Sequence, residues 1–271
     1  IEKPTPGTEP SDLVNIVVHV HHNPQKLFNA LKKVTTTKDD RYESALQLLF
    51  EKGVQYAAVP YTGFWQPIKY PWHVYSVAQY LFAQEYKKRS LKIKKSASIA
   101  KSAKIHGDVI IEDGVKIFDN AVVQGPAYIG KESVIATNAL VRSSFLGERC
   151  VAGYNTEIAR SYCGNDVWTH SNYIGDSIIG NNCSFGAGAI TGNLRLDEKN
   201  IPVMVNGKRV DSGTQKLGLI AGDGLRCGVN TSFMPGIRVG RNVFVGGGIV
   251  VPQDIPDNQF VYGTWTLTTK P

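Results

Sequence analysis

Residues 99–141 read IAKSAKIHGDVIIEDGVKIFDNAVVQGPAYIGKESVIATNALV. Ile99, Ile105, Ile111, Ile117, Val123, Ile129, Ile135 and Val141 stand six apart without a miss. Four residues after each of the first seven comes Ala103, Val109, Val115, Ala121, Ala127, Ser133 or Ala139. A helix repeats near 3.6 residues and a strand at 2, so a period of six belongs to neither. It fits a solenoid of hexapeptides, each a short strand and a bend, with three closing one triangular coil. The aliphatic residue points into the prism and the small one fits the tight corner. Successive coils pair their strands at roughly 4.8 Å. The expected fold class is mainly β, a left-handed parallel β-helix of hexapeptide repeats preceded by a small α/β segment. The left hand of such prisms is an exception to the usual right-handed crossover.

Outward from this stretch the beat falters at 143–163, where a register shift or small bulge is expected. It resumes at Val167, Tyr173, Ile179 and Phe185, with Ser171, Ser177, Cys183 and Ala189 in the small places. Residues 192–218, GNLRLDEKNIPVMVNGKRVDSGTQKLG, are too polar for the prism and read as a loop excursion. The beat returns at Cys227, Phe233, Val239, Val245 and Val251. Residues 1–85 lack it. LVNIVVHV (13–20) and VQYAAVPY (54–61) read as strands. PQKLFNALKKV (24–34), ESALQLLFEKG (43–53) and PWHVYSVAQYLFAQEYKKR (71–89) read as helices. The expected division is an α/β segment at 1–88, the β-helix at 89–258 and a tail at 259–271.

Of the 271 residues 42% are hydrophobic, enough for a core, and no apolar run approaches a membrane span. No targeting segment is read at the start. Cys150, Cys163, Cys183 and Cys227 show no CxxC spacing, so reduced thiols and a cytoplasmic location are expected. The net charge of +7 suits phosphate-bearing ligands, coenzyme A or nucleic acid. The basic run 87–104, KKRSLKIKKSASIAKSAK, has no interleaved aromatic residues for base stacking, so neither a nucleic-acid nor a membrane partner is expected. His19, His21 and His22 form HVHH, and His19 and His21 would share a strand face. No acidic residue or Cys lies near in sequence, so no metal is expected there.

The first residues carry a resemblance. IEKP at 1–4, SDLVN, ESALQLLFEKG and GFWQPIKYPWHV resemble the last third of a sugar-1-phosphate nucleotidylyltransferase domain, shortened and degenerate. In that family Glu2 and Lys3 would lie near the sugar phosphate. The family's tryptophan motif has a metal-holding Asp where Pro67 stands here, and proline has no side-chain oxygen for Mg²⁺. The resemblance therefore implies no metal and no nucleotidyl transfer in this chain.

Residues 91–258 resemble the left-handed β-helix domain of bifunctional nucleotidylyltransferase/acetyltransferases, GlmU-like and of archaeal type. The passages that carry it are THSNYIGD, CSFGAGAITGNLRLDEK and KLGLIAGDGLRCGVNTSFMPGIRVG. The resemblance implies a homotrimer that moves acetyl from acetyl-CoA to the amine of glucosamine 1-phosphate or galactosamine 1-phosphate, toward a UDP-N-acetylhexosamine. It makes His170 the general base, with Tyr173 and Asn193 on the amino sugar and Arg142 and Lys199 on its phosphate. Ala187 and Gly188 would meet the thioester end of acetyl-CoA, and Gly228, Gly246 and Gly247 its pantetheine. The chemistry is consistent. An attacking amine must lose a proton, which an imidazole with pKa near ~6.5 can take. Backbone N–H groups in a bend such as FGAGA can stabilise the oxyanion.

Three positions depart from the family: Ala159 stands for a phosphate-site Lys, Ser184 for Asn, and Pro202 for a second Lys. They keep two other readings open. One is a non-catalytic degenerate paralogue that partners an intact enzyme in a hetero-assembly. The other is a fragment of a nucleotidylyltransferase whose solenoid serves trimerisation.

Overall fold

The computed structural model describes residues 7–8, 12–90 and 92–263. The chain divides into two compact units, 1–65 and 66–271. In the first, helices α1 (Pro24–Lys33) and α2 (Arg41–Glu51) pack Leu27 and Ala30 against Ala45, Leu46 and Leu49. Proline opens α1, where its missing N–H has no helical partner to lose, and Lys32 and Lys33 complement the dipole at its end. The strands expected at 13–20 and 54–61 do not form. A strand needs a neighbour for its N–H and C=O groups, and neither segment has one among the described residues. Val14, Val18 and Val20 stay exposed. His19 and His21 are held instead by tyrosines: Tyr42 Oη meets His19 Nδ1 (2.9 Å) and His21 Nε2 (2.8 Å), and Tyr56 Oη meets His21 Nδ1 (3.0 Å). Glu2 and Lys3 lie outside the described residues.

The second unit is the solenoid expected from the period of six, a left-handed β-helix whose coils stack as three parallel faces. The first face starts at Ser98–Ile99 and runs through Val151–Ala152, Trp168 and Ser184–Phe185 to Phe260–Val261. The second runs from Lys104–His106 through Glu157–Ala159 and Tyr173–Gly175 to Val250–Val251. The third runs from Val109–Ile111 through Tyr162–Cys163 to Arg238–Val239. From Ile111 to Val141 every aliphatic beat residue is buried, as expected.

The beat assigned to Val167 and Tyr173 is corrected. Register pairs Glu157 with Tyr173 and Ile158 with Ile174, so Ile174 points inward and Tyr173 outward. Thr169, fully buried, takes the inward place beside Trp168, and Val167 sits in the corner series with Ser133, Cys150 and Cys183. Ser171 is exposed. The reason is a shortened corner: from Thr169 to Ile174, and again from Ile174 to Ile179, the inward step is five residues rather than six. Counting back by six from Ile179 therefore lands one side chain off at Tyr173, and a one-residue slip changes the face.

The third face is covered by the chain itself. Helix α3 (His73–Lys88) sets Phe82 against Ile110 and Phe145, with Tyr128 and Tyr162 around them. Because α3 packs here, the division between units falls at 65 rather than at the expected 88. The excursion contains an antiparallel hairpin, Pro202–Val205 with Lys208–Asp211. Ile201, Val203 and Leu217 pack with Ile220 and Trp72. The first and second faces keep exposed apolar side chains, among them Trp168, Ile190, Phe244, Val250 and Phe260. All four cysteines are buried and free. Among the described residues no helix is long and apolar enough to cross a membrane.

Candidate active site

His170 is exposed at the corner between the first and second faces. The register that stacks Ala152, Thr169, Phe185, Cys227 and Val245 places Gly153, His170, Gly186, Gly228 and Gly246 one above another at this corner. Asn172, which the sequence reading passed over, ties the turn to the next coil. Its Oδ1 accepts from the His170 N–H, and its Nδ2 donates to Gly186 O (2.8 Å) and Ala189 O (3.0 Å). An Asn inside a polar-looking triplet carries no sequence signal of such a staple. The His170 ring makes no hydrogen bond or ion pair among the described residues, so both nitrogens remain available.

The corner thus gathers His170, Ala187, Gly188, Gly228, Gly246 and Gly247 along successive coils. Stacking alone explains some of these glycines. A Cβ on Gly186 or Gly228 would come within 2.6 or 2.5 Å of the next coil's backbone, and one on Gly188 would collide with Asn230 Oδ1. Gly246 is different: the nearest atoms to its Cβ position lie at 3.4–3.7 Å, ordinary contact distance. The fold leaves room there for a side chain that the sequence does not supply. The Ala187 N–H has no backbone partner among the described residues, so it is available to an oxyanion.

A second cluster occupies the corner between the second and third faces. Asp176 accepts from Arg160 Nε (2.6 Å) and Nη2 (2.7 Å) and from Asn193 Nδ2, which also donates to Tyr173 Oη (3.1 Å). The hydrogen bonds to Asp176 hold the Arg160 guanidinium above its ordinary pKa, and Tyr173 lies beside it. Burial, reinforced by Asp176, pushes the Tyr75 hydroxyl up to about 12; it donates to Ser143 O. The Arg160–Asp176 pair also walls a cleft of about 820 Å³ with Trp72, Tyr75, Asn200 and Thr214.

The expected residues are therefore brought together only in part. Tyr173 and Asn193 are in contact. Arg142 ends the strand beside Ala159 but is paired with Glu157 through Nε (2.7 Å) and Nη2 (2.6 Å). Lys199 stands exposed in the turn after Asp197, its ammonium without a hydrogen-bonded partner among the described residues. Ala159 is fully buried, and the Tyr173 ring lies across neighbouring Gly175. Arg160, adjacent to the missing Lys, joins the cluster through a left-handed backbone (φ 48°) that its sequence neighbours do not announce. Pro67 turns its carbonyl to His73 Nδ1 at 2.6 Å.

Residues 108–143 match the family model described as bacterial transferase hexapeptide (six repeats), in agreement with the repeat seen in the fold. The chain is 36% identical to bifunctional protein GlmU of Methanococcus maripaludis, over 97% of this chain and 62% of that protein. It is 34% identical to bifunctional protein GlmU of Methanocaldococcus jannaschii, over 95% and 62%. It is 32% identical to the bifunctional sugar-1-phosphate nucleotidylyltransferase/acetyltransferase of Sulfurisphaera tokodaii, over 96% and 63%. The resemblance read from the motifs is borne out: this chain is a homologue of those proteins along nearly its whole length. It spans about 62% of the length of the first of them. Among solved structures the likeness is looser. A UDP-N-acetylglucosamine O-acyltransferase of Moraxella catarrhalis RH4 is 17% identical with a TM-score of 0.45, over 64% of this chain and 65% of that one.

Proposed function

We propose that this chain is an acetyl-CoA-dependent N-acetyltransferase acting on the amine of a hexosamine 1-phosphate, glucosamine or galactosamine 1-phosphate, in the making of a nucleotide sugar. The observation that carries the reading is the corner at which His170, with both ring nitrogens available, stacks in register with Gly186–Gly188, Gly228 and Gly246–Gly247. Gly246, which the fold would allow to be larger, favours a ligand lying against that column.

The amine nitrogen attacks the thioester carbonyl and forms the N–C bond. His170 takes the proton the amine loses. The Ala187 N–H, which no backbone oxygen takes among the described residues, stabilises the oxyanion, and collapse of the intermediate breaks the C–S bond. The thiolate of coenzyme A then leaves and takes a proton back. Tyr173 and Asn193 hold the sugar. Arg142 and Lys199 meet its phosphate if Arg142 releases Glu157 on binding, a bidentate use for which guanidinium is suited. The exposed apolar side chains of the first and second faces suit a homotrimer in which a neighbouring prism completes the groove. Nucleotidyl transfer is not part of this proposal, nor is a metal, and the setting that fits acetyl-CoA is the cytoplasm.

The test is release of coenzyme A thiol from acetyl-CoA with each amino-sugar phosphate in turn, for the wild type and His170→Ala. Turnover lowered by about 10²-fold or more in the variant is the result expected for a lost general base. No turnover from a folded oligomer with either acceptor overturns the reading.

A further inference from the structure

The cluster at the second corner has a direction. A carboxylate can only accept hydrogen bonds, whereas an amide offers two donor hydrogens on nitrogen and an acceptor oxygen. Asp176 takes one hydrogen of Asn193 Nδ2 and Tyr173 Oη takes the other. Both donors are spent, so the orientation of the amide is set by the carboxylate and Oδ1 must face the other way. Asn193 Oδ1 has no hydrogen-bond partner among the described residues. None of their side-chain polar atoms is both buried and unpartnered, so Oδ1 is open to solvent. The Tyr173 oxygen already accepts from Asn193, which leaves its own hydrogen for another partner. The site therefore presents one acceptor, Asn193 Oδ1, beside one donor, the Tyr173 O–H.

Asp176 is itself held firmly. Arg160 engages both carboxylate oxygens, and the Asp176 carbonyl accepts from the Gly218 N–H (2.8 Å) where the excursion returns. The Leu217 N–H binds Asn193 O (3.0 Å), so the departure and return of the excursion are tied at this one corner. Both Arg160 and Asp176 adopt left-handed φ, 48° and 49°, a conformation residues other than glycine keep only when their surroundings enforce it.

We propose that Asp176 is a positioning residue that sets the donor–acceptor polarity of Asn193 and Tyr173 and thereby selects the acceptor sugar. Asn193 Oδ1 takes a hydrogen from a hydroxyl or ammonium group of that sugar, and Tyr173 gives one to a sugar or phosphate oxygen. The proposal rests on the acetyltransferase reading above. It adds a determinant that touches no substrate and acts through a neighbour.

The experiment compares wild type, Asp176→Asn, Asn193→Ala and the double variant, with both Michaelis constants, kcat and the melting temperature measured for each. An asparagine at 176 keeps the shape but can donate, which frees the amide at 193 to turn over. One misdirected hydrogen bond corresponds to about tenfold in affinity. Asp176→Asn is expected to raise KM for the amino-sugar phosphate about tenfold, with KM for acetyl-CoA and kcat moved no more than about threefold. Because Asp176 acts through Asn193, its effect on acceptor KM should vanish in the Asn193→Ala background, a non-additivity that general loosening of the fold would not produce. An unchanged acceptor KM in Asp176→Asn, or effects that simply add, overturns this proposal while leaving the acetyltransferase reading intact. A wild type that turns over neither acceptor overturns both.

Discussion

The coils that keep strict time and the coils that carry the candidate site differ in one residue per corner. Partners across adjacent coils stand eighteen apart at Val122 and Leu140, seventeen at Leu140 and Glu157, and sixteen at Glu157 and Tyr173. The missing residues come from two corners: Val141–Leu146, Ile158–Cys163 and Ile174–Ile179 between the second and third faces, and Thr169–Ile174 between the first and second. In those shortened corners Ser143, Arg160, Ser171 and Asp176 adopt left-handed φ of 48–49°. In regular corners Asn120, Asn138 and Asn155 take 58–60° and are the small polar residues suited to that conformation. In the regular coils the inward beat residues from Ile111 to Val141 are all buried in the stack. Two of the shortened corners bring Arg160 and Asp176 together with Asn193 in one hydrogen-bonded cluster.

The most damaging way to break this contrast is to restore the missing residue. A single glycine inserted between Asn172 and Tyr173 should return the corner to six and leave the β-helix folded. It should lower acetyl transfer by about 10²-fold or more through misplacement of His170 against the Gly186 corner. Circular dichroism and the thiol-release assay read the two effects separately. In the regular coils the opposite pattern is expected. Ile129, fully buried, contributes packing alone, so Ile129→Ala should cost about 2–5 kcal/mol in urea unfolding and leave the Michaelis constants of the folded protein unchanged.

A smaller effect sharpens the comparison within one corner. Gly246→Ala should fold normally and raise KM for acetyl-CoA several-fold, on the order of 1 kcal/mol. Gly228→Ala should lower the melting temperature first, because its Cβ meets backbone. The smallest effect concerns alkaline pH. Burial pushes the thiol of Cys150 up to about 11 and that of Cys227 up to about 12, and raises Cys163 and Cys183 as well. A thiol near 8.5 in the unfolded chain then ionises more easily there than in the fold. Stability should be fully present below about pH 8.5 and fall as pH rises toward 11–12. Cys150→Ala should make that alkaline decline shallower without altering acetyl transfer.

Much of the fold was legible because a period of six is a property of the chain itself. Eight aliphatic positions from Ile99 to Val141 predict the prism, and the polar run at 192–218 predicts where it is interrupted. Tyr173 shows where that reading fails: one residue lost from a corner reverses its face, and nothing local marks the loss. The valines at 13–20 fail differently, since β propensity makes a strand only where another strand is present to pair with it. In the site, His170 and Asn193 carry recognisable motifs. The roles of Asn172, Asp176 and Arg160 are not legible there, because they depend on neighbours fourteen to seventeen residues away in the chain.

The sequence by itself determined the repeat, the inward rows of Ile and Val and the kinship with the archaeal bifunctional proteins. Each is written in residues close enough together to be read as a pattern. Only the tertiary structure decided which corners are short, that α3 and the excursion cover the third face, and which way Asn193 turns its amide. Those outcomes depend on stacking, where each coil fixes the register of the next and a hydrogen bond between corners decides what a side chain can still offer.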